Sequence, residues 1–142
     1  MAFDGSHIWV TNSIDDTVSK IDVSTDTVTA TVTVGDFPWG VAFDGSNMWV
    51  ANNGDGTVSK INVSTDTVTT VTVGTNPYGV AFDGSHIWVT NAADGTVSKI
   101  DVSTDAVTAT VTVGANPFGV AFDGSHMWVT NAGDDTVSKI VP

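Results

Sequence analysis

The sequence predicts an all-β chain made of stacked, four-stranded sheets. Three observations carry this. The β-branched residues Val and Thr supply 24 and 22 of the 142 residues. Leu, Glu, Gln and Arg are absent, so the good helix formers reduce to Ala, four Lys and three Met. One unit also recurs along the whole chain: Ala2-Phe3-Asp4-Gly5-Ser6 reappears from Ala42, Ala81 and Ala121, at spacings of 40, 39 and 40 residues. A period near 40 is the length of a four-stranded repeat unit.

The second copy shows the elements most clearly. Strand a covers Gly40 to Asp44, and Asp44-Gly45 predicts a type I′ hairpin turn, because both residues tolerate positive φ. Strand b runs from Asn47 to Asn52, and Asn53-Gly54-Asp55-Gly56 has turn chemistry. Strand c follows from Thr57 to Val63, and Ser64-Thr65-Asp66 turns the chain again. Strand d runs from Thr67 to Val73, and Pro77-Tyr78-Gly79 leads into the next strand a.

Alternation along each strand assigns its place. In strand b of the first copy, Ile8 and Val10 point one way and Trp9 the other. Both faces are apolar, as a sheet stacked between two neighbours requires. Strand d alternates Val28, Ala30, Val32 and Val34 against Thr29, Thr31 and Thr33, the half-apolar pattern of an outer strand. The second copy is one residue short, which puts Val68 and Val73 out of phase and predicts an irregularity near Thr69-Thr70. Four short antiparallel strands per unit describe a β-propeller blade. A β-solenoid is the competing repeat fold, but its parallel strands do not suit Asp-Gly hairpins.

The chain therefore reads as one domain, 1–142, with blades at about 1–35, 40–74, 79–114 and 119–142: three complete, and a fourth with three strands only. Its ends fall inside the repeat, as in a fragment or a chain with chosen ends. Trp9, Trp49, Trp88 and Trp128, one per copy, are expected to pack between blades. Lys20, Lys60, Lys99 and Lys139 are expected to pair with nearby carboxylates such as Asp22 and Asp101, or to stay solvated.

Strand b and its flanks carry a family likeness. Ile8-Trp9-Val10-Thr11-Asn12, Met48-Trp49-Val50-Ala51-Asn52, Ile87-Trp88-Val89-Thr90-Asn91 and Met127-Trp128-Val129-Thr130-Asn131 resemble the YVTN-type β-propeller repeat, with Trp in place of Tyr. Thr-Val-Ser-Lys-Ile and the Asn-Pro-aromatic-Gly link (Asn76 to Gly79, Asn116 to Gly119) look like it too; Asp36-Phe37-Pro38-Trp39-Gly40 departs at two positions. The resemblance covers the whole chain. It implies a propeller and a secreted or cell-surface prokaryotic parent, and it extends to streptogramin lyases, which act with a divalent cation.

Composition narrows the function. The net charge is −12, from 16 Asp against four Lys, so nucleic acid and anionic membranes are excluded as partners. Zero Cys excludes disulfides and thiolate metal sites. No leader-like start and no apolar run of spanning length is present. His7, His86 and His126 recur with the repeat and are read as structural, so no catalytic residue, cofactor or metal ligand is assigned. Asp15, Asp55, Asp94 and Asp134 in the b–c turns are turn formers that would bind surface cations weakly at most. They share a rim with Trp39, Tyr78 and Phe118, and the seven together form a candidate ligand rim for sugars or basic peptides. The alternative is that each aromatic fastens its link to the next blade.

An open arc of blades leaves two apolar flanks, and patches of that size mark interfaces. The expected partner is a second copy, giving a non-catalytic homodimer that closes an eight-bladed ring. A closed four-bladed monomer is the alternative, and a trimeric ring of twelve blades a third.

Overall fold

The computed structural model describes residues 1–142 and contains strands and turns only. The first sheet is β1 (Ala2–Phe3), β2 (His7–Asn12), β3 (Thr17–Asp22) and β4 (Thr27–Thr33). The second is β5 (Pro38–Phe43), β6 (Asn47–Asn52), β7 (Thr57–Asn62) and β8 (Val68–Thr72). The third is β9 (Pro77–Phe82), β10 (His86–Asn91), β11 (Thr96–Asp101) and β12 (Val107–Thr112). The fourth stops at three: β13 (Pro117–Phe122), β14 (Met127–Asn131) and β15 (Thr136–Ile140). Each sheet is an antiparallel meander in chain order, and together they are the blades of a β-propeller.

Three apolar clusters lie between blades rather than within them. Trp9 and Val18 of the first blade meet Met48, Val50 and Ile61 of the second. Trp49 and Val58 then meet Ile87, Val89 and Ile100 of the third. Trp88 and Val97 meet Met127, Val129 and Ile140 of the fourth. One face of each blade thus offers a Trp and a Val, and the next blade answers with three aliphatics. No cluster joins the first blade to the fourth.

Three local expectations are corrected. The a–b turn is not type I′, since only the glycine takes positive φ (Gly45, 102°). Asp44 instead turns its carboxylate inward and accepts the backbone N–H groups of Ser46 (2.8 Å) and Asn47 (2.7 Å). A side chain that satisfies two backbone donors makes left-handed geometry at its own residue unnecessary.

The strand d irregularity falls in the other copies. The first and third blades carry a bulge where Lys20 pairs with Ala30 but Ile21 with Val28, and likewise at Lys99 and Ile100. The shorter second blade pairs Lys60 with Thr69 and Ile61 with Val68 in unbroken register. Thr29 and Thr108 are the extra residues, and their hydroxyls donate to the Lys20 and Lys99 carbonyls (3.2 and 3.3 Å). The short copy has lost the bulge residue.

The lysines do not pair within their own blades. Lys20 reaches Asp66 and Lys60 reaches Asp105, each on the following blade. Asp22 and Asp101 cap their own c–d turns, accepting the Ser24 and Ser103 backbone N–H groups and hydroxyls.

Candidate functional site

The inner strands bring the link aromatics together. The inner strands β5, β9 and β13 each start at a link proline, which is buried, so the following aromatic stands within the strand. Trp39 stacks on Tyr78 at 4.9 Å between ring centroids and 22° between planes. Tyr78 meets Phe118 edge-on at 4.3 Å. The rings form a ladder across three blades, beside an open cavity of about 370 Å³ that Met1 and Val120 also line. Glycine makes the spacing possible: a Cβ at Gly40 would strike the Tyr78 carbonyl, and one at Gly79 the Phe118 carbonyl.

The carboxylates of the same rim are used otherwise. Asp55 accepts the backbone N–H of Asp36 (2.7 Å), Asp94 that of Thr75 (2.7 Å) and Asp134 that of Ala115 (2.5 Å). Each pins the link entering its own blade. Asp15 has no incoming link and stands exposed. None of the four lines the aromatic cavity, so the aromatic and acidic residues of this rim occupy separate places. Nor do three or more His or Asp side chains converge anywhere as a metal ion would require. Asn12, Asn52, Asn91 and Asn131 are internal struts; each donates from Nδ2 to a Thr and a Ser hydroxyl on the neighbouring strand.

Sequence reading missed the wiring of the tryptophans. The indole N–H donates to the a–b turn Asp in every blade: Trp9 to Asp4 (2.8 Å), Trp49 to Asp44 (2.6 Å), Trp88 to Asp83 and Trp128 to Asp123 (both 2.7 Å). The constant Asp-to-Trp offset was the available signal. Lysine ammonium groups lie over the same rings, 4.9 to 5.3 Å from their centroids. Burial works against ionisation of Asp44 and Asp83, but the Trp49 and Trp88 indoles and two backbone N–H groups at each outweigh it, and both carboxyls fall below the ordinary range. At Asp123 the Trp128 indole is the main cause, and the carboxyl falls to about 2. His7, His86 and His126 sit beside these carboxylates at 3.3, 3.4 and 3.8 Å, at the opposite end of the strands from the aromatic ladder.

The outer flanks form the second candidate surface. Trp9, Trp49 and Trp88 are buried, whereas Trp128 is 39% exposed. Val18, Val58 and Val97 are buried, whereas Val137 is 60% exposed. On the first blade Ile8, Val10 and Ile21 are half-buried, although their counterparts Met48, Val50 and Ile61 are fully covered.

Solved structures share this fold. Hydrazine synthase of Kuenenia stuttgartiensis superimposes with a TM-score of 0.81 at 22% identity, over all of this chain and 47% of that one. The computationally designed Ika4 protein superimposes at 0.87 and 16%, over 99% of this chain and 88% of that one. Virginiamycin B lyase from Staphylococcus aureus does so at 0.82 and 18%, over 96% and 48%. The chain spans about half the length of the synthase and the lyase. No family model and no curated protein sequence matches it.

Proposed function

We propose that the chain is a non-catalytic, self-assembling propeller unit, two copies of which close an eight-bladed ring. One observation carries this reading: the exposed flank of the fourth blade repeats the Trp and Val that a following blade buries at every internal junction. The exposed flank of the first blade repeats the aliphatics that answer them. A second copy placed head to tail would use a contact that the molecule already makes three times. Burial contributes roughly 25 cal/mol per Å² of apolar surface, and each junction would cover the part of Trp128 (39%) and of Val137 (60%) that is still exposed, together with the first-blade aliphatics. Two such junctions, each with a Trp, a Val and three aliphatics, outweigh an association cost of about 4–15 kcal/mol. A head-to-tail contact between identical chains closes when its rotation divides the circle. The likeness to YVTN-type repeats agrees with stacked blades and adds no ligand.

Light scattering across concentration tests the reading. A mass of twice 14.7 kDa is expected. Two chains of −12 make a ring of −24, so moderate salt should favour assembly by screening. A particle that stays at the monomer mass at high salt and high concentration overturns it.

The aromatic ladder supports a second reading, a ligand-binding propeller module. Apart from the Tyr78 hydroxyl and the Trp39 indole N–H, the cavity lining offers no side-chain hydrogen-bonding group. An organic cation therefore fits these rings, in a strongly acidic molecule, better than a sugar does. Titration of a quaternary ammonium and of an oligosaccharide, read by tryptophan fluorescence, tests this; no response to either removes it. A lyase-like activity is the remotest reading, and measured lactone opening would revive it.

A further inference from the structure

Two of the three internal blade junctions are crossed by a lysine; at the third, Lys99 lies over Trp88 and meets no carboxylate, because the fourth blade has no strand d and therefore no c–d turn. Lys20, on β3, extends over the Trp9 ring into the second blade, where its ammonium donates to the Val63 carbonyl (2.7 Å) and the Asp66 carboxylate (2.9 Å). Lys60, on β7, does the same over Trp49, reaching the Val102 carbonyl (3.0 Å) and Asp105 (2.6 Å) of the third blade. The socket is a c–d turn of fixed shape. Asp66 and Asp105 adopt left-handed φ of 57° and 58° and donate their backbone N–H to Asn62 and Asp101. Val63 and Val102 are held by their N–H bonds to Ser46 and Ser85.

The first blade carries the same socket, complete and without a lysine. Asp26 has φ of 55° and donates its N–H to the Asp22 carbonyl at 2.9 Å. Val23 donates its N–H to Ser6 at 3.2 Å, and its side chain is exposed. At the other end of the molecule, Lys139 lies 5.3 Å over the Trp128 ring and meets no carboxylate. The donor and its socket are both preformed, on the two flanks that face outward.

We propose that Lys139 of one copy plugs the Asp26–Val23 socket of a second copy. This rests on the head-to-tail reading above and deepens it, by naming the polar contact that sets direction and register between chains. The apolar flanks alone would tolerate sliding or a flipped approach; an ammonium that must meet one carboxylate and one carbonyl does not. A two-chain ring holds two such plugs, related by the two-fold axis.

Charge reversal tests it. Lys139→Asp and Asp26→Lys each place like charges at both junctions of a homodimer. Each alone is expected to raise the dissociation constant at least about tenfold, the scale of hydrogen bonds to charged groups. An equimolar mixture of the two variants has one native and one reversed pair per ring, and is expected to recover assembly to within a few-fold of the unsubstituted chain. That recovery cannot come from two misfolded proteins. If the unsubstituted chain dimerises but the single variants match it, or the mixture stays as weak as its components, the plug is wrong and the ring stands. If the unsubstituted chain is monomeric throughout, both fall.

Discussion

Trp88 and Trp128 occupy the same place in the repeat, and all their local bonds agree. Each donates its indole N–H to the a–b turn carboxylate at 2.7 Å, and each lies beneath a lysine, at 5.1 and 5.3 Å. Yet Trp88 is 1% exposed and Trp128 is 39% exposed. The third and fourth blades therefore separate two contributions that a repeat usually confounds. The polar wiring is drawn within one blade and forms whether or not a neighbour follows. Burial is supplied by the next sheet alone.

The largest expected effect tests that separation directly. Trp88→Ala removes a ring held among Val97, Met127, Val129 and Ile140, and should cost about 3–5 kcal/mol of unfolding free energy. Trp128→Ala should cost less than half of that in dilute, monomeric protein, because water already reaches the ring. The order reverses for self-association, which Trp128→Ala should abolish. Denaturant unfolding and light scattering on the two variants read both quantities. Equal losses of stability in the monomer would break the comparison.

Acid sharpens it. Asp123, held to about 2 by the Trp128 indole and two backbone N–H groups, and Asp83, lowered by the same donors against burial, both ionise more readily folded than unfolded. An unfolded Asp titrates near about 3.9. The stability these carboxylates contribute is thus complete above that value and is lost as pH falls toward about 2. Denaturant midpoints measured from pH 5 to 2 should fall steadily, and Asp83→Asn should flatten the slope. The Asp83→Asn variant should also cost more than Asp123→Asn at pH 7, since only Asp83 lies under a following blade. A midpoint that does not move with pH would show that this wiring contributes nothing to the fold.

The blades were legible because their signals are local and repeat. Strand b was placed at Asn47–Asn52 from the turn residues on either side of it, Asp44-Gly45 and Asn53-Gly54-Asp55-Gly56, where the structure has β6. What escaped reading depends on which atoms meet across blades. Lys20 has Asp22 two residues away in sequence, but Asp22 is occupied by Ser24 and Thr25, and the ammonium finds Asp66 instead. The bulge was assigned to the copy that differs in length, although length cannot say which copy is regular; the hydroxyl bonds of Thr29 and Thr108 decide it. Of the candidate rim, the shared end of the blade was readable from topology. That Asp55, Asp94 and Asp134 face the links while Trp39, Tyr78 and Phe118 face the cavity was not, because both follow from side-chain direction.

The smallest effect lies in the links and tests whether local geometry can be improved with no neighbour involved. Phe37, Asn76 and Asn116 each precede the link proline, and all three take left-handed φ, at 54°, 52° and 53°. Asn enters that region readily, whereas a bulky side chain there is strained. Phe37 is also 46% exposed, so little packing holds it in place. Phe37→Asn should therefore stabilise the chain by about 0.5–1 kcal/mol, read as a higher denaturant midpoint with unchanged slope. The reverse change, Asn76→Phe, should destabilise by a similar amount or more, because the Asn76 amide also donates to the Asn53 carbonyl at 3.3 Å. If Phe37→Asn lowers the midpoint, the Phe37 ring holds the first link by contacts worth more than its backbone strain, and that link is maintained differently from the other two.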